Sequence, residues 1–203
     1  MGIFNSALVL FETVVKSPTV RAILSTVEPL LAKEEAADRL NPNCSASDAR
    51  RKSAQILAAR PSLLGFINGL IFGFVMGLDG PAAENRTCGR VMVSLFPKNV
   101  AGLDLISDAL ATLDATPEYR DGYGKGGKVA LYFFGADYSA DPDAPEAIRV
   151  SRNLNALGAD IGIPASGDER TDLVGAMMWM YFTAQFSEYY SGRPTRWRGE
   201  IQR

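Results

Sequence analysis

Gly122-Tyr-Gly-Lys-Gly-Gly127-Lys128 satisfies the first seven positions of a phosphate-binding G-x-x-x-x-G-K loop. In such a loop the glycines let backbone N–H groups approach the phosphates, and the lysine reaches the terminal ones. The eighth position should be Ser or Thr to hold magnesium, and here it is Val129. A buried strand should lead into the loop, and Pro117-Glu-Tyr-Arg-Asp121 has no strand pattern. Asp121–Lys128 therefore reads as a flexible glycine-rich loop rather than a nucleotide site. The chain has no histidine, which removes the commonest general base and metal ligand. Cys88 stands between Arg86 and Arg90, a setting that favours a thiolate, but there is no imidazole to complete a Cys–His pair. Cys44 and Cys88 fit no metal-ligand spacing and no disulfide framework, and read as two reduced thiols. The sequons Asn43-Cys-Ser45 and Asn85-Arg-Thr87 carry meaning only in a secreted context. The carboxylates of residues 104–172 make no pair on an apolar face, so a solvated surface is expected. The residues point to a non-enzyme with no cofactor and no metal.

The elements that would position any site are dominated by Gly65-Phe-Ile-Asn-Gly69-Leu-Ile-Phe-Gly73-Phe-Val-Met-Gly77. Four residues are slightly more than one helical turn, so Gly65, Gly69, Gly73 and Gly77 line one narrow groove on a helix. Each glycine in a water-exposed helix costs about 1 kcal/mol relative to alanine. A membrane supplies a reason for them, because small residues let helix backbones approach where the hydrophobic effect between helices is absent. No charge occurs in the 18 positions from Pro61 through Leu78, about the minimum for a span. A transmembrane helix over 61–79 is expected, its groove seating a partner helix or a lipid. A second apolar helix, 172–192, holds 15 uncharged residues from Leu173 to Ser187 and is expected to span or to lie at the interface.

The rest of the chain reads as amphipathic helices. Phe4, Ala7, Leu8, Phe11, Val14 and Val15 mark one over residues 3–16. Ser17-Pro18 starts another, with Val20, Ile23, Leu24, Val27, Leu30 and Leu31 as its stripe and Pro29 as an expected kink. Ser45-Ala-Ser-Asp48 has capping-box spacing before a short basic helix. Leu103, Ile106, Leu110 and Leu113 mark a helix near 101–114; Asp143-Ala-Pro-Glu146 starts one that Gly158 would end. The chain divides into an N-terminal amphipathic region (1–60), the glycine helix (61–79), an acidic middle (80–171), the second apolar helix (172–192) and a basic tail (193–203).

Net charge over 203 residues is −2, which gives no case for nucleic acid. Residues 1–61 hold 8 Lys/Arg and 6 Asp/Glu, whereas residues 79–172 hold 9 and 15. Arg50, Arg51, Lys52 and Arg60 precede the first apolar helix, and Arg193, Arg196 and Arg198 follow the second. By the positive-inside rule both flanks lie on one side of a membrane, with the acidic middle across it.

Two families share these features. The four-residue glycine spacing is similar to that of the small accessory subunits e and g of mitochondrial F-type ATP synthase, which pack through such grooves. Leu173-Val-Gly-Ala-Met-Met-Trp-Met-Tyr-Phe182 with Gly192-Arg193 also resembles the C-terminal membrane helix of subunit g. Tyr119-Arg-Asp-Gly-Tyr-Gly-Lys125 resembles the peroxisomal membrane-elongation (peroxin-11) family, which implies two spans and a membrane-shaping role. The expected protein is thus an all-α integral membrane protein with one or two transmembrane helices plus amphipathic helices. Its expected role is that of a non-catalytic accessory or scaffold subunit of a multi-subunit complex, with mitochondrial inner-membrane localisation implied by the first resemblance. Its partners would be other membrane subunits, and lipids. A soluble all-helical interaction domain, with residues 62–78 as its central helix, is the competing expectation.

Overall fold

The computed structural model describes residues 17–80, 84–97, 102–156 and 167–193. Among these the chain is all-helical: α1 (Pro18–Arg39), α2 (Ala46–Ala59), α3 (Pro61–Asp79), α4 (Glu84–Leu95), α5 (Gly102–Leu113), α6 (Pro117–Phe133), α7 (Ala144–Ala156), α8 (Glu169–Met178) and α9 (Ala184–Ser191). A π-helical turn, Trp179–Thr183, joins α8 to α9. The expected helix over residues 3–16 and the cap at Gly158 lie outside the described residues.

The helix starts follow local chemistry. Ser17 caps α1 by accepting from the Val20 N–H at 3.5 Å, and Pro18 fills the first turn where no N–H partner is needed. Helix α1 continues through Pro29 to Arg39. Ser45 and Asp48 form a reciprocal capping box at the head of α2. The last apolar helix starts earlier than residue 172: Asp168 accepts from the Thr171 N–H at 2.8 Å, and α8 begins at Glu169.

One core runs through the described residues. Helix α3 lies at its centre, with 61 % of its most apolar stretch buried. Val20, Ile23, Val27 and Leu31 of α1, Leu57 of α2, Val91 and Leu95 of α4, and Phe182 and Phe186 of the C-terminal helix are all fully buried in the same cluster. The C-terminal helix runs antiparallel to α3. Arg60 lies over the Tyr189 ring at 3.7 Å, and Phe66 stacks on Phe182 at 5.8 Å. Further along, Phe74 and Val174 line one cavity.

The largest departure from expectation is α6. Asp121–Lys128 is no flexible loop: it is the middle of a 17-residue helix. Thr116 caps that helix at 3.3 Å from the Tyr119 N–H, Pro117 occupies the first turn, and Glu118 complements the helix N-terminus. These signals outline a helix start. The interior glycines, each costing about 1 kcal/mol relative to alanine, oppose it. Packing against α3 reverses that balance.

Candidate functional site

Helix α6 fills the glycine groove of α3. A Cβ built on Gly65 would stand 3.0 Å from the Tyr119 carbonyl carbon and closer to its oxygen. One on Gly69 would stand 2.9 Å from the Tyr123 Cα. The seam is reciprocal. A Cβ on Gly122 would meet the Ser62 Cα at 3.0 Å, and one on Gly126 the Leu70 nitrogen at 2.7 Å. Glycines of each helix therefore face backbone of the other. Contacts advance together along both chains, from Ser62 with Gly122 and Gly65 with Tyr119 to Gly77 with Phe134, so the helices are parallel. Helices α4 and α5 lie between them in the chain and carry it back to the start of the seam.

The four groove positions are not equivalent. Gly65 and Gly69 abut backbone, which cannot move aside. A Cβ on Gly73 would meet the Ala130 methyl at 2.5 Å, and Gly77 faces the edge of the Phe134 ring, a side chain that can rotate. Within α6, Gly124 faces open space. Asn68, the one strongly polar residue inside the apolar run, donates to the Tyr119 hydroxyl oxygen at 2.6 Å. Tyr123 is packed between the Tyr119 and Phe72 rings at 6.2 and 5.6 Å. That polar contact and these rings set the register, because a one-turn slip would leave Asn68 without its partner.

The basic residues expected to flank a membrane do different things. Arg50 is only 6 % exposed and is not available to lipid headgroups. Its Nε donates to Glu35 at 2.6 Å and one terminal nitrogen to the Leu95 carbonyl at 2.7 Å. The fully buried Glu35 also accepts from Ser53 at 2.6 Å and from Arg39 at 2.5 Å. Arg50 is thus a structural ion-pair partner because it faces α1, where Glu35 occupies the next position of the apolar stripe after Leu31. Lys52 pairs with Asp38 at 3.0 Å and lies over the Tyr190 ring at 4.1 Å. Hydrogen bonds from Lys52 and then Tyr190 hold the Asp38 carboxyl below its usual range. Arg51, Arg60 and Arg193 are exposed, and Arg196 and Arg198 lie outside the described residues.

A second polar cluster was not expected from the sequence. Asp141 is 7 % exposed and accepts from the Tyr132 hydroxyl, from the Asp143 N–H at 2.9 Å and from Lys128 at 3.3 Å. Burial pushes its carboxyl up, but these donors outweigh burial and hold it below the usual range. Burial and then the Asp141 carboxylate push the Tyr132 phenol up. Each named group already has a partner, and the cluster pins the 134–143 connection to α6. No group of three His, Cys, Asp or Glu side chains arranged to hold a metal occurs among the described residues. No disulfide joins Cys44 and Cys88, both half-buried.

The fold thus defines a class, an all-α helical assembly built on a glycine-interlocked parallel pair. Comparison with protein-family models, curated proteins and solved structures yields no match to this chain.

Proposed function

We propose that this chain is a helical interaction protein, a scaffold rather than a catalyst, with α3 as its core helix. The observation that supports this reading is the occupant of the glycine groove. The groove holds α6 of the same chain, and α6 carries Asp121, Lys125 and Lys128 beside the middle of α3. Lys125 pairs with Asp121 at 2.7 Å with both side chains reaching solvent, and Lys128 reaches from solvent to the buried Asp141 at 3.3 Å; partly exposed charges of this kind suit an aqueous surface and are costly in hydrocarbon. Where a partner docks, the exposed apolar side chains near the C-terminal ends of α3 and α6 are the candidates, Leu78, Leu131 and Phe133 each being 45–55 % exposed.

The second reading is an accessory subunit of a membrane complex, including the mitochondrial inner-membrane and peroxisomal membrane-shaping roles that the resemblances imply. What favours it is that Pro61–Asp79 is the one helix among the described residues long and apolar enough to cross a membrane. The antiparallel placement of the C-terminal helix also sets Arg60 and Arg193 at one end with Tyr189. Alkaline carbonate extraction of cells expressing the full chain separates the two. The interaction-protein reading expects release into the supernatant and a single species on detergent-free size exclusion. Quantitative retention in the pellet overturns it in favour of the membrane subunit.

A further inference from the structure

Seven large apolar side chains are exposed among the described residues, and Leu78, Leu131, Phe133 and Phe134 are four of them. Leu131 and Phe133 belong to the last turn of α6, Phe134 is its cap, and Leu78 belongs to the last turn of α3. The rings are in contact. Phe133 and Phe134 lie 5.4 Å apart, and both meet Phe74 edge-on, at 5.2 and 5.6 Å. A Cβ on Gly77, beside Leu78, would stand 2.8 Å from the Phe134 Cζ. Large apolar groups left in water at neighbouring positions call for a cover.

Helix α1 starts at this same end. The Thr19 hydroxyl donates to Asp79, the residue after Leu78, and the adjoining Val20 is fully buried. Phe133 also lines a cavity shared with Ser25 and Thr26 of α1. The point from which residues 1–16 depart, Ser17, is thus fixed beside the exposed rings. Residues 1–16 lie outside the described residues, but their sequence has matching chemistry. Phe4, Leu8, Phe11 and Val15 stand at i, i+4, i+7 and i+11, one face of a helix, with Asn5, Glu12 and Lys16 to one side. A helix over residues 3–16 would be about 21 Å long, ample for a cluster spread over the last turns of two helices. A tether this short gives an effective concentration roughly in the millimolar range. Residues 194–203 follow from the other end of α3, where Arg60 lies over Tyr189. We propose that residues 3–16 pack as a helix over Leu78, Leu131, Phe133 and Phe134, with Phe4, Leu8, Phe11 and Val15 inward. The inference rests on the proposed interaction role and deepens it: the surface named there for a partner has the chain's own N-terminal segment as its resident occupant, which a partner displaces.

The test is amide hydrogen exchange, read by mass spectrometry, on the full chain in detergent-free buffer. A helix this short is marginal in isolation, so protection of residues 3–16 reports their packing. Protection of about tenfold or more over the free-chain rate is expected, at every chain concentration. Leu131→Asp, at a position 54 % exposed, should cut that protection at least about threefold while Tm stays near the parent's. Phe4→Asp combined with Phe11→Asp should uncover the rings and raise binding of an apolar fluorescent dye about threefold, and adding Leu131→Asp should lower it again. Free exchange of residues 3–16 in the parent overturns the inference, as does protection that Leu131→Asp leaves unchanged. Protection that grows with chain concentration assigns the cover to a second copy and overturns docking within the chain. Retention of the chain in the carbonate pellet fails the interaction-protein reading and this inference with it. A released chain whose residues 3–16 exchange freely fails this inference alone.

Discussion

At the scale of single residues, the glycines of this chain separate into those that admit another backbone and those that do not. Gly122 abuts Ser62, and Gly69 abuts Tyr123, so even a methyl group forces the helices apart. Overpacking of this kind costs about 1–3 kcal/mol, and each kcal/mol lowers Tm by about 2–4 °C in a chain of this size. Gly69→Ala and Gly122→Ala are expected to lower Tm by several degrees in thermal denaturation. Gly77→Ala should cost less, since the Phe134 ring can turn aside. Gly124→Ala should do the opposite. Its site is open and helical, so alanine should raise stability by about 0.4–1 kcal/mol. A Gly124→Ala protein less stable than the parent would contradict the helical assignment of this stretch. Asp141 supplies a pH-dependent term. Its folded carboxyl lies below the ordinary value of 3.8, so its contribution is present above that pH and is lost as pH falls through the folded value. Asp141→Asn should therefore be less stable than the parent at pH 7, by about 1–3 kcal/mol. In urea titrations at successive pH values, the gap should narrow below about pH 3.8.

At the scale of elements, two pairings hold the architecture by different physics. Helices α3 and α6 meet through backbone proximity and many dispersion contacts, each about 0.1–0.2 kcal/mol. Helices α1 and α2 meet around the buried Glu35–Arg50 pair, with Ser53 and the Leu95 carbonyl completing its hydrogen bonds. Removing Arg50 leaves the buried Glu35 with only Arg39 and Ser53, and removing Glu35 leaves Arg50 with the Leu95 carbonyl and a 3.5 Å contact to Glu28, so each loss costs up to about 3–5 kcal/mol. Glu35→Met and Arg50→Met should each destabilise strongly, while the double variant should lose much less than their sum. Chemical denaturation of all four proteins measures that coupling. Additive losses would mean that the two charges act independently.

At the scale of the whole molecule, α3 is encircled rather than paired once. Helix α6 lies along its glycine face, and the C-terminal helix lies antiparallel through Phe66, Phe182 and Phe186. From the π turn at Trp179–Thr183 onward, the i, i+4 spacing of Phe182, Phe186 and Tyr190 forms a continuous ring series at 5.2 and 5.7 Å. Apolar surface remains at the end where Leu78, Leu131 and Phe133 emerge. Leu131→Ser is expected to leave Tm nearly unchanged, because the side chain is 54 % exposed, and to reduce self-association or partner capture through this end. Analytical ultracentrifugation of the variant and parent across a concentration series checks the self-association branch.

The helix starts were legible because their determinants lie within a few residues. Ser17-Pro18 and the Ser45–Asp48 box announce themselves locally, and so does the close approach implied by Gly65, Gly69, Gly73 and Gly77. Glu35 was not read from the sequence: it continues the stripe of Val27 and Leu31, but a carboxylate there reads as the end of the apolar face until Arg50 is brought beside it. Helix α6 was not legible. Its glycines argue for a loop when summed along the chain, and only the presence of α3, some 55 positions away, makes the same glycines favourable. The sequence by itself determined that one helix would carry a groove one residue wide. The tertiary structure decided that the groove would be filled from within, because the matching glycines at 122 and 126 face it only after α4 and α5 return the chain.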